Sequence, residues 1–138
     1  MKRFNIRLYA IIINEEGDIL LCDEVHRDKH MIKFPGGGLE WGEGTVDCLK
    51  RELMEEFDLQ LLEHHLFYVT DFFQASFFNA DHQVVSIYYK CKIVGSPNPK
   101  EENVKFFWAD FKSLEAELMT FPIDKHVIGL LKKELNQL

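Results

Sequence analysis

Cysteine is scarce in this chain of 138 residues: Cys22, Cys48 and Cys91 are odd in number, widely spaced, and form no C-x-x-C pair. That excludes a disulfide framework and a thiolate zinc site. The three read as small, partly buried side chains in a reducing compartment. No apolar run approaches the roughly twenty residues that cross a bilayer. Leu8–Ile13 is apolar but stops at Asn14-Glu15-Glu16-Gly17, and the charged Met1–Arg7 does not open a signal peptide. The expected setting is the cytoplasm, with no membrane partner. Basic residues are outnumbered, with 16 Lys and Arg against 23 Asp and Glu, a net charge of -7. General nucleic-acid binding needs a basic footprint and is not expected. A small anionic substrate is compatible with this charge, because divalent cations can stand between carboxylates and phosphate oxygens. Linkers, repeats and low-complexity tracts are absent, so residues 1–138 read as a single domain.

What the chain does contain is apolar and aromatic: 46% hydrophobic residues and 13% aromatics, enough to bury a sizeable core. Phe4–Ile13 and Ile19–Cys22 read as strands joined by the Asn14–Asp18 turn, a hairpin. A polar, partly basic stretch, Asp23–Lys33, follows. Phe34-Pro35-Gly36-Gly37-Gly38 then interrupts regular structure. From Thr45 to Phe57 the period becomes helical. Thr45 is the candidate cap, and Val46, Leu49, Leu53 and Phe57 fall on one face. Phe67–Phe73, Val84–Val94 and Val104–Ala109 read as strands, and Asp124–Leu135 as a closing helix. Several strands around two helices make an α+β protein or an α/β/α sandwich on a mixed sheet.

The chemistry concentrates where the glycine run meets the first helix. Glu52, Glu55 and Glu56 stand at i, i+3 and i+4 and form one acidic patch. The apolar stripe beside them fixes its orientation. Like charges this close call for compensation, which Lys50, Arg51 or a hard divalent cation can give. A glutamate run alone is more often a solvated face. Gly36, Gly37 and Gly38 let the backbone approach a ligand closely, near the helix start where free amides can face an anion. A Pro-Gly-Gly run alone is most often a turn. Loop and helix together, at this spacing, are the stronger signal.

The segment resembles the signature of the Nudix hydrolases, G-x5-E-x7-R-E-U-x-E-E-x-G-U, with U a bulky aliphatic residue. Gly37, Glu43, Arg51, Glu52, Leu53, Glu55, Glu56 and Leu59 match. Asp58 stands in place of the motif glycine, at a helix end where a left-handed residue is common and Asp is tolerated. The resemblance implies a Nudix-type α/β/α sandwich around a mixed β-sheet. It implies Mg²⁺ as cofactor, with Mn²⁺ as alternative, held by Glu52, Glu55 and Glu56. Glu52 is also the first candidate for the base, and Glu43 is expected to pair with Arg51. Gly36, Gly37, Gly38 and Trp41 are the expected substrate-binding residues. Glu102, in the loop before the strand that carries Trp108, is a candidate fourth metal ligand, with Glu101 its alternative.

Outside the motif, His26, Arg27, Lys29, His30 and Lys33 could contact terminal phosphates or be a solvated loop. Phe72, Phe73, Phe77 and Phe78 divide between stacking on a base and serving as the core of a strand pair or an oligomer interface, about half of them expected in the core. His64 and His65 read as structural. The expected reaction is cleavage of a phosphoanhydride in a small nucleotide-type substrate, first a nucleoside triphosphate yielding monophosphate and pyrophosphate. Nucleotide sugars, dinucleotide polyphosphates and capped RNA ends stay open, as does a homodimer. The competing class is a Nudix module that senses a nucleotide without cleaving it.

Overall fold

The computed structural model describes residues 1–136. Its strands are β1 (Arg3–Ile11), β2 (Asp18–His26), β3 (Lys29–Lys33), β4 (Gly36–Gly38), β5 (Gln60–Val69), β6 (His82–Val94) and β7 (Val104–Asp110). Helix α1 (Thr45–Phe57) lies between β4 and β5, and α2 (Pro122–Asn136) closes the chain. One sheet has the order β4-β1-β6-β5 and is mixed, because β1 and β6 run parallel. The other, β3-β2-β7, is antiparallel.

The alternation within β1 and β2 explains the layers. Leu8, Ala10 and Ile12 point into one core with Leu20 and Cys22, beneath Leu49, Leu53 and Phe57 of α1. The intervening Tyr9, Ile11, Ile19 and Leu21 point into a second core, against Ile123, Val127, Ile128 and Leu131 of α2. Strands buried on both faces read as continuous apolar runs, as these do. The result is the expected α/β/α sandwich. All three cysteines are free and buried.

Several local expectations are corrected. β1 and β2 do not form a hairpin ladder. They meet only at the start, through the Ile13–Ile19 bridge, and then enter different sheets. The polar stretch Asp23–Lys33 is the true hairpin. β2 continues to His26 and turns through Arg27 and Asp28, at φ 51° and 63°, into β3. Left-handed backbone at both central residues suits the twist of a two-residue turn. Gly36–Gly38 is a strand, paired with β1 from Tyr9↔Gly36 to Arg7↔Gly38. β5 begins at Gln60, so it includes His64 and His65, and ends at Val69 rather than Phe73. The α1 cap is Gly44 and not Thr45: the Gly44 N–H donates to the Asp47 carboxylate at 2.9 Å, while Thr45 Oγ1 meets the Tyr89 hydroxyl at 2.7 Å.

Candidate active site

Helix α1 carries its acids on the border of its buried stripe. Leu49, Leu53 and Phe57 are fully buried, which anchors the neighbouring turn of Arg51, Glu52 and Glu56. The helix ends at Asp58, which takes the left-handed conformation (φ 57°, ψ 30°) that the motif glycine would otherwise supply. Its carboxylate is held by Lys100 at 2.5 Å and by the Asn98 amide at 3.2 Å.

Arg51 organises the loop. Its Nε donates to Glu43 Oε2 at 2.6 Å and its Nη2 to Glu43 Oε1 at 2.9 Å, a two-pronged pair. Nη2 also reaches the Gly38 carbonyl at 3.0 Å, and Nη1 reaches Glu52 at 2.9 Å and Glu55 at 3.2 Å. The Arg51 hydrogen bonds pull the Glu43 carboxyl down to about 2. Beside this network, Glu52 lies against β4. A Cβ added at Gly37 would sit 2.5 Å from its carboxyl carbon. Only glycine leaves room for that carboxylate.

Glu52 and Glu56 face one cavity of about 390 Å³. Burial first, and then the charge of Glu52, push the Glu56 carboxyl up to about 8. Two carboxylates forced together in this way form a hard-oxygen donor set with an excess of negative charge. That set fits a divalent cation of the Mg²⁺ type, which takes one or two protein carboxylates and completes its shell with water and phosphate oxygens. Among the described residues, no three His, Cys, Asp or Glu side chains are gathered tightly enough to enclose an ion alone. Glu24 lines the same cavity and is paired with the buried Lys33 at 2.7 Å.

Another part of the cavity lining is aromatic and nearly buried. Tyr9 stacks on Tyr88 with ring centroids 5.3 Å apart, and the Tyr88 hydroxyl donates to Asp124 Oδ1 at 2.5 Å. Asp124 is almost wholly buried, and that burial raises its carboxyl to about 7 against the opposing Tyr88 hydrogen bond. Segment 74–78 forms one wall, tied to β6 by Ser76 N–H to His82 O at 2.8 Å and Val84 N–H to Gln74 O at 2.8 Å.

The structure thus gathers Gly36, Gly37, Gly38, Glu52 and Glu56 on the cavity, with Glu43 and Arg51 directly behind. Glu55 is turned outward to Arg51 and largely exposed. Trp41 is fully exposed, and Glu102 lies on an exposed turn; neither lines the cavity. Of the basic stretch, Lys33 and His26 line it, while Arg27, Lys29 and His30 are exposed. Phe77 and Phe78 line it, and none of the four phenylalanines from 72 to 78 is buried, so the core reading fails for all of them. Sequence reasoning missed Arg7, Tyr9, Glu24, Tyr88 and Asp124. The alternation of Arg7 with Tyr9 along β1 was the one available signal.

Fold and site together define a pyrophosphohydrolase of the kind that joins a glycine strand to a glutamate helix. The chain belongs to the Nudix family: the NUDIX domain model matches residues 3–131. A curated relative, an 8-oxo-dGTP diphosphatase of Buchnera aphidicola subsp. Acyrthosiphon pisum (strain APS), is 31% identical over 107 residues, covering 76% of this chain and 80% of that one. Solved structures agree in fold. A Nudix hydrolase from Nitrosomonas europaea superposes with a TM-score of 0.75 at 21% identity, over 91% of this chain and 86% of that one. A MutT protein from Methanosarcina mazei Go1 gives 0.74 at 20% identity, over 96% of both.

Proposed function

We propose that the chain, acting as one domain, hydrolyses a nucleoside triphosphate to the monophosphate and pyrophosphate, with Mg²⁺ as its metal and Mn²⁺ as a substitute. One observation carries this reading. A single cavity is lined both by the Glu52–Glu56 carboxylates and by the buried Tyr88–Asp124 pair. The carboxylates suit a cation and the charged phosphates it carries, and the exposed rings of Phe77 and Phe78 on the same cavity suit a heterocycle. The named activity of the Buchnera relative supports the same substrate class.

Glu52 and Glu56 are the inner oxygen donors in this reading, with Glu55 and Glu102 as outer members of the set. When bound, the cation neutralises phosphate oxygens and makes a water more acidic. Glu52 orients the attacking water and accepts its proton. Arg51 holds Glu52 in that position, and Glu43 holds Arg51. Gly37 keeps the backbone out of the space the carboxylate needs. Gly36 lets strand β4 run flush against β1.

Hydrolysis of a nucleotide panel, with and without Mg²⁺, tests the reading beside Glu52→Gln and Glu56→Gln. Metal-dependent turnover is expected, falling by roughly 10²-fold or more in each variant. Nucleotide binding without turnover on any compound would point instead to a sensing module.

A further inference from the structure

Arg7 is a cation on this cavity that the acids around it, Glu52 and Glu24, favour from a distance without a direct ion pair. It stands on β1 opposite Gly38 and lines the cavity with Asn5 and Tyr9, its neighbours at two-residue spacing. Its Nε donates to the Tyr9 hydroxyl at 2.7 Å. Among the described residues its two terminal nitrogens make no hydrogen bond and no ion pair. Among the described residues no buried side-chain nitrogen or oxygen is left without a partner, so those nitrogens keep some accessible surface, on a residue that lines the cavity. The other cations nearby are committed. Lys33 is paired with Glu24 at 2.7 Å, and Arg51 is saturated by Glu43, Glu52, Glu55 and the Gly38 carbonyl. A guanidinium with its outer edge free has donors to spare for an anion, and its planar fork matches two phosphate oxygens.

Its position says which phosphate. Neighbouring glycines carry the two key side chains: a Cβ at Gly37 would meet the Glu52 carboxyl at 2.5 Å, and one at Gly38 would lie 3.6 Å from Arg7 Nη1. On the other side Arg7 touches Tyr9, which stacks on Tyr88 toward Asp124. Arg7 therefore lies within electrostatic reach of Glu52 while touching Tyr9, the stacking partner of Tyr88. We propose that Arg7 is a phosphate-binding residue, its free guanidinium edge taking the non-bridging oxygens of the phosphate that stays attached to the nucleoside. This rests on the nucleotide hydrolase reading and adds to it the residue that holds the retained phosphate.

The test is direct binding without metal. The four deoxynucleoside monophosphates and their nucleosides are titrated in EDTA against wild type, Arg7→Gln and Arg7→Lys, with circular dichroism as the check on folding. Arg7→Gln is expected to weaken the tightest monophosphate by about tenfold or more while its nucleoside changes less than about twofold. Arg7→Lys keeps the charge but loses the fork, and is expected to recover part of the affinity. If Arg7→Gln does not fold, Arg7→Lys decides the matter by a loss of about threefold or more for the monophosphate alone. An unchanged monophosphate affinity, or an equal loss for the nucleoside, overturns the proposal and leaves the hydrolase reading intact. Wild type that binds no nucleotide, and turns none over, overturns both.

Discussion

Arg51 binds Glu43, Glu52, Glu55 and the Gly38 carbonyl, and so ties the loop, the helix and strand β4 to one planar group. Lysine cannot reproduce that fork. Arg51→Lys should destabilise the protein by about 1–2 kcal/mol in urea titrations, after allowance for solvent screening on the Glu55 side. Its activity should fall further than its stability, because Glu52 loses the group that positions it. The same residue shows what is readable in a chain. The Glu43–Arg51 pair is legible, since its members sit at a set distance along a loop and helix. Asp124 is not, because a single Asp in the first turn of a helix looks like an ordinary dipole partner. Only the fold brings Tyr88, from β6, onto it. Arg7 is hidden for the same reason: nothing local says that its strand lies beside a glycine strand.

At the scale of elements, β4 is the shortest strand and the least tolerant. A Cβ at Gly36 would stand 1.9 Å from the Leu8 carbonyl oxygen, at φ +149°, where backbone blocks it. Gly36→Ala is expected to cost roughly 3 kcal/mol or more, read as a lowered midpoint of thermal unfolding. Gly37→Ala meets the end of the Glu52 side chain instead. The strand survives and Glu52 is displaced, so a drop of about 10²-fold in turnover with nearly unchanged stability is expected. Helix α1 was legible because its stripe and its acids are both local patterns. β4 was not, because three glycines carry no periodicity and their pairing is made by β1. The β1–β2 hairpin was misread since turn residues and apolar runs look alike whether the second strand folds back or crosses to another sheet. Asp58→Gly removes the strain of a left-handed residue but also the Lys100 and Asn98 contacts. Little change in the unfolding midpoint is expected, with faster amide exchange in residues 97–103.

Taken whole, the molecule buries ionisable groups that prefer to be neutral, and its stability should carry that mark. Asp124, facing Tyr88, Lys33 and Arg7, titrates at about 7 when folded and near the ordinary carboxylate value when unfolded. Between those values the folded state holds a proton that the unfolded state has released. Its contribution is therefore full below about pH 4 and is lost as pH rises through about 7. Asp124→Asn, a neutral mimic, should lack this fall, so the stability of the variant relative to wild type should rise from pH 5 to pH 8 in denaturant titrations. A difference independent of pH would contradict the assignment. The sulfur atoms lead to a separate consequence of the same dense interior. Burial lifts the Cys48 thiol to about 11 and the Cys91 thiol to about 12, and pushes Cys22 up as well. At neutral pH fewer than about one in a thousand of these groups is thiolate, the form that peroxide attacks. Oxidants that silence exposed-thiol enzymes should therefore leave this one running, its sulfur chemistry sealed away.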